Sequence, residues 1–218
     1  MTQSALSPQE QSQRTRALCE LAAVIPVLTV PDASRAADLG RALISGGLTV
    51  LEVTLRTDAG LDAIRAMAKL PGGHVGAGTV LTRDDVFRAK DAGATFAVSP
   101  GLTDPIVQAC IEAGLPILPG VSTASEAMRA ADYGFTMMKF FPASAAGGTL
   151  MLKALSAPLA KLHFCPTGGI SLQNAAEYLS CPNVVCVGGS WIATPEAQAN
   201  GDWSGIEARA REAATLPR

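Results

Sequence analysis

Histidine is almost absent from this chain of 218 residues: there are two, His74 and His163, and each opens a short apolar run. A catalytic metal built on histidines, or a nucleophile activated by one, needs an imidazole at the site. Neither chemistry is expected, and no metal or other cofactor is called for. Five cysteines (Cys19, Cys110, Cys165, Cys181, Cys186) form an odd set with no CxxC pair and no metal-ligand spacing. With no apolar signal-type core in MTQSALSPQEQSQRTRALCE, they read as reduced thiols packed as small hydrophobes. Charge is sparse, at 17% of residues with a net of −2, and no basic block interleaves with aromatics. Nucleic acid is therefore not an expected partner. Nowhere do eighteen apolar residues run together, so no membrane span is expected. These absences leave a soluble, cytoplasmic globular protein with enough apolar residues for a sizeable core.

What the chain does have is alternation. Short apolar runs recur at 24–30, 50–55, 74–80, 96–101, 116–121, 135–141, 163–169 and 184–190, each ending in or beside Gly, Pro, Ser or Thr. They are too short for helices and read as strands. Between them lie Ala-rich segments such as TRDDVFRAKDAG and TASEAMRAADYG, which open with Thr or Asp as N-caps and close with Gly. Eight such βα units predict an α/β fold, a closed (β/α)8 TIM barrel forming one domain over residues 1–218. An additional N-terminal helix is expected over 8–22, a loop over 194–203 and a last helix over 204–214. An open doubly wound sheet would often carry GxGxxG after its first strand, and GAGT at 76–79 lacks the third glycine.

Alternate side chains of a strand face opposite sides. In LEVTLR (51–56), Leu51, Val53 and Leu55 suit the helix-facing side, which sends Glu52, Thr54 and Arg56 inward. In MMKFF (137–141), Met138 and Phe140 pack outward, while Met137, Lys139 and Phe141 face the interior. Burying charges is costly unless they pair, and even a paired set is often no more stable than apolar packing. One reading is a structural ion-pair cluster, or a lysine whose head reaches solvent along a packed stem. Three inward charges late on two strands, the end that carries active sites in this fold, point instead to chemistry. Burial disfavours an ammonium, and a neutral amine can add to a carbonyl to form a Schiff base. Arg56 would push the same way, and Glu52 can shuttle the protons. The other lysines (Lys69, Lys90, Lys153, Lys161) lie among polar neighbours and are expected in solvent. TGGI (167–170) and GGSW (188–191) follow the last two strands and offer bare N–H groups to a phosphate. A barrel that binds a phosphometabolite without catalysis, or a sugar-phosphate isomerase, would need no buried amine.

The motifs LEVTLRT, GAGTVL, SPGLT, PGVST, KFFPA, CPTGGI and GGSW, in this order, resemble the 2-keto-3-deoxy-6-phosphogluconate aldolase family, some members of which also cleave 4-hydroxy-2-oxoglutarate. The resemblance runs from about residue 24 to the last helix and leaves out the first 20 residues. It implies a metal-free class I aldolase without a cofactor, usually a homotrimer, that splits 2-dehydro-3-deoxy-6-phosphogluconate into pyruvate and glyceraldehyde 3-phosphate. The alternative substrate is unphosphorylated 4-hydroxy-2-oxoglutarate or an epimeric 2-keto-3-deoxy sugar acid. By resemblance Lys139 is the Schiff-base lysine and Glu52 the general acid/base. Arg56 and Thr79 hold the carboxylate of the pyruvate moiety, and Pro100 and Phe141 wall the pocket. Thr167, Gly168, Gly169 and Ser190 serve the phosphate end. Alternation is expected to put Thr79 inward, on one face with Val75 and Ala77. One departure concerns fine specificity: Ser144 stands where the family often continues FFPA with an acidic residue.

Overall fold

The computed structural model describes residues 6–217. Helix α1 (Pro8–Cys19) leads into β1 (Val24–Leu28), α2 (Ala36–Ser45), β2 (Val50–Thr54), α3 (Gly60–Met67) and β3 (His74–Gly78). There follow α4 (Arg83–Asp91), β4 (Phe96–Val98), α5 (Asp104–Ala113), β5 (Ile117–Leu118), β6 (Gly120–Val121) and α6 (Ala124–Tyr133). The chain continues through β7 (Met137–Phe140), α7 (Gly148–Ser156), β8 (His163–Pro166), α8 (Leu172–Leu179) and β9 (Val187–Gly189), then α9 (Pro195–Ala199) and α10 (Trp203–Ala214). The strands pair in parallel, in a six-stranded order β5-β4-β3-β2-β1-β9 and a three-stranded order β6-β7-β8. This is an α/β fold on a curled parallel sheet.

Local chemistry explains most boundaries. Thr82 and Thr123 accept from the backbone N–H of Asp85 and Glu126, whose carboxylates return the bond. Such reciprocal caps satisfy donors that a helix start leaves unpaired. Gly114 and Gly134 end α5 and α6 in left-handed conformation, where a side chain would clash. The run expected as one strand over 116–121 is split in two, because Pro119 has no N–H to give a ladder. Its carbonyl still accepts from Lys139 N at 2.8 Å. The expected loop over 194–203 contains α9, which Thr194 caps and Pro195 starts. The N-terminal helix ends at Cys19, three residues before the expected 22.

Two cores lie on opposite faces of the sheet. The larger packs Leu51, Val53, Met138, Phe140 and Phe164 against the helices. The smaller gathers Cys19, Ile25, Val50, Phe96, Val98, Leu118, Met137, Cys165 and Cys186 on the other face. Alternation along LEVTLR and MMKFF holds: Leu51 and Val53 face helices, and Val50 and Met137 do not.

Candidate active site

Lys139 is the third residue of β7, in register with Gly120 of β6 and Cys165 of β8. Glu52 is the third residue of β2, in register with Val27 and Gly76. Their strands bring together two residues 87 apart in sequence: Lys139 Nζ donates to Glu52 Oε1 at 3.1 Å. The two residues are only 4% and 3% exposed, whereas a surface pair such as Arg129–Asp104 stays more than half exposed. A buried pair of this kind is weak support for stability, since desolvation offsets the attraction. The Phe141 ring lies with its centroid 5.2 Å from Nζ, within cation–π range.

Three glycines make room for this arrangement. A Cβ at Gly78 would overlap the Glu52 carboxylate, one at Gly120 the Pro100 carbonyl, and one at Gly188 the Thr167 hydroxyl. The sequence motifs place Gly188 only in a phosphate-end turn and give Gly78 and Gly120 no role of their own. Their signal is a glycine inside or at the end of a strand, which marks close approach by a neighbour.

Arg56 corrects one expectation. It lies two residues beyond β2 and is exposed, so it does not share the enclosed space of Lys139 and Glu52. The strand has ended, and alternation no longer directs the side chain. Its Nε donates to Thr79 Oγ1 at 3.2 Å. Thr79 corrects another. Val75 and Ala77 belong to the helix-facing core, and it is Gly76 and Gly78 whose missing side chains face Phe96 and Glu52. Simple alternation would turn Thr79 toward the helices. Its backbone is instead left-handed, with φ 59°, the one positive φ among described non-glycine residues. That conformation is costly for a β-branched residue and is the kind of strain that gathers at functional sites.

The remaining candidates line the loops after β4, β7, β8 and β9. Pro100 and Phe141 are half-buried. Thr167 is buried, and its carbonyl accepts from Ala143 N at 2.8 Å, while Gly168 O accepts from Ser144 N at 3.0 Å. The glycines of TGGI, at φ 98° and 75°, thus run beside the segment that follows Lys139. Side chains at either position would press on Phe141 or Ser144. Ser190 is exposed, just before a short 3-10 turn over Trp191–Ala193. A buried amine beside a carboxylate, with the exposed Arg56 guanidinium bonded to the Thr79 hydroxyl beyond the strand ends, suits addition to a carbonyl of an anionic substrate. Among the described residues no group of three or more His, Cys, Asp or Glu side chains could hold a metal ion.

The KDPG and KHG aldolase family model matches residues 15–209. The chain is 49% identical over 191 residues to the 2-dehydro-3-deoxy-phosphogluconate aldolase of Pseudoalteromonas atlantica, covering 87% of this chain and 89% of that one. Among solved structures it is similar to the 2-keto-3-deoxy-6-phosphogluconate aldolase of Zymomonas mobilis ZM4 with 3-phosphoglycerate, at 41% identity and TM-score 0.91 over 95% of this chain and 98% of that one. It is similar also to the KDPG aldolase of Legionella pneumophila with pyruvate captured as a covalent carbinolamine, at 43% identity and TM-score 0.89, covering 92% and 98%.

Proposed function

The chain belongs to the KDPG and KHG aldolase family, and from that premise we propose that it is a class I aldolase cleaving 2-dehydro-3-deoxy-6-phosphogluconate to pyruvate and glyceraldehyde 3-phosphate. The observation that carries the mechanism is the buried contact between Lys139 Nζ and Glu52 Oε1. Glu52 takes a proton from Lys139, whose lone pair then adds to the C2 ketone of the substrate. The carbonyl electrons move to oxygen, which Glu52 protonates, and loss of water leaves an iminium. Glu52 next removes the C4 hydroxyl proton. The C3–C4 bond electrons flow into the iminium, the aldehyde departs, and an enamine remains. Protonation at C3 and hydrolysis release pyruvate and restore the amine. Proton transfer by a positioned carboxylate and covalent capture by an amine are familiar rate-enhancing devices.

In this reading Arg56 and Thr79 receive the substrate carboxylate, their mutual hydrogen bond supporting a shared role. Pro100 and Phe141 wall the pocket. Thr167, Gly168, Gly169 and Ser190 take the phosphate, which backbone N–H groups in glycine turns favour. The strand set reads as one closed (β/α)8 barrel, a single domain. Only Pro119 separates β5 from β6, and isolated parallel bridges Phe164–Val184 and Thr167–Gly188 link the β8 and β9 regions. Assembly as a homotrimer rests on the family resemblance. A cytoplasmic setting is supported by five free, buried thiols.

Mass spectrometry after pyruvate and borohydride is the direct test. One adduct is expected, on Lys139, and Lys139→Met should abolish both adduct and turnover. An adduct on another lysine, or turnover surviving the substitution, would sink the assignment. Turnover of 4-hydroxy-2-oxoglutarate measured alongside sets how far the phosphate governs substrate choice.

A further inference from the structure

Helix α1 has no part in the chemistry described so far, and the family match begins inside it, at residue 15. Its packing face nevertheless shares a small void with Glu52 and holds the start of the strand that carries Lys139. Ser12 is 1% exposed, and its Oγ accepts from the N–H groups of Thr136 at 2.9 Å and Met137 at 3.0 Å. These residues lead into and open β7, and Lys139 stands two positions further on. With two N–H groups already bonded to Ser12 Oγ, its proton is left for Thr136 Oγ1 at 3.3 Å.

The same helix face continues through the next turns. Thr15, Leu18 and Cys19 line the space beneath Glu52, opposite Val50, Phe96 and Cys165 of the strands. Residues three and four apart share a helix face, so this row is one surface. The void left between them is only about 10 Å³, at or below what a single water needs. The small inner core is separate from the helix–sheet core, and Cys19 and Leu18 are the members that α1 contributes to it.

We propose that α1 is the floor of the reaction chamber and that Ser12 is a positioning residue for Lys139. The Ser12 clasp fixes where β7 enters the sheet, and therefore the height and direction of Nζ relative to Glu52. The Thr15, Leu18 and Cys19 surface keeps water from reaching the amine and carboxylate from below. The inference rests on Lys139 being the imine-forming residue.

The experiment uses the full-length chain with pyruvate and borohydride, reading the initial rate of adduct formation on Lys139 across pyruvate concentrations. Ser12→Ala and Leu18→Ala are expected to trap about tenfold more slowly at saturating pyruvate, a loss of the order that slight misplacement of a reacting group causes. The half-saturating pyruvate concentration is expected to stay at that of the parent. Leu39→Ala, a cavity in the helix-facing core, serves as a destabilised control and should keep the parental rate. Folded floor variants that trap at the parental rate, or a control that slows as much as they do, overturn the proposal. If Ser12→Ala does not fold, Leu18→Ala decides. A parent chain that forms no adduct at all refutes the Lys139 reading, and the floor proposal with it.

Discussion

Gly78 has no side chain because Glu52 occupies the space that one would fill. A methyl group there meets the far end of a flexible side chain, so the carboxylate moves before the backbone does. Gly78→Ala is expected to keep its far-UV circular dichroism while kcat drops about a hundredfold, the cost of a catalytic group displaced by about 1 Å. Thr79 poses the converse case, a side chain held where the backbone disfavours it. A left-handed conformation costs an ordinary residue about 1–2 kcal/mol, and glycine escapes that cost but loses about 0.5–1 kcal/mol in chain entropy. Thr79→Gly should therefore melt no lower than the parent. If Thr79 receives the substrate carboxylate as proposed, losing that hydroxyl bond, worth about 1.5–3 kcal/mol, should raise KM about tenfold or more. A lower Tm with unchanged KM would contradict both halves. Lys139 and Glu52 were legible because alternation in MMKFF and LEVTLR needs only neighbours in sequence. Gly78 and Gly120 were not, because the groups that crowd them, Glu52 and Pro100, are distant in sequence, and the left-handed φ of Thr79 has no signal in a β-branched residue.

At the scale of elements, α1 and β8 meet where Arg16 Nη1 approaches His163 Nδ1 at 3.1 Å. Burial first, and then the Arg16 charge, lower the histidine below its ordinary 6.5. The unfolded chain binds a proton near 6.5, while the folded chain resists it to lower pH. The unfolded state thus binds more protons in that window, so stability is complete above about 6.5 and is lost as pH falls through the folded value. Asp104, held low by hydrogen bonds from Tyr133 and then Arg129, loses its contribution only below its ordinary 3.8. A plot of Tm against pH is expected to bend first below 6.5, and His163→Gln should remove that bend while leaving the acidic one. Helices and strands were readable as an order of elements, since apolar runs and caps are local signals. The break at Pro119 and the short helix after Thr194 are weaker signals, since one rests on a single missing N–H and the other on one N-cap ahead of five residues.

The whole molecule withdraws its thiols as thoroughly as its amine. All five cysteines are buried and unpaired in disulfides. Burial pushes Cys110 up to about 12, and hydrogen bonds with Cys165 and Cys19, together with burial, push Cys186 well above its ordinary range. Thiolates are the reactive form, so an aromatic disulfide reagent should label no cysteine in the native protein and all five in denaturant. Rapid labelling under native conditions would show that the inner core opens readily. The contact between Lys139 and Glu52 spans 87 residues of chain, and neither partner can find the other until the strands between them have taken their places. Long-range closures of this sort come late and slow folding. During refolding, helical signal should therefore recover ahead of catalytic activity, which makes enzyme turnover a stringent clock for the final assembly of the sheet.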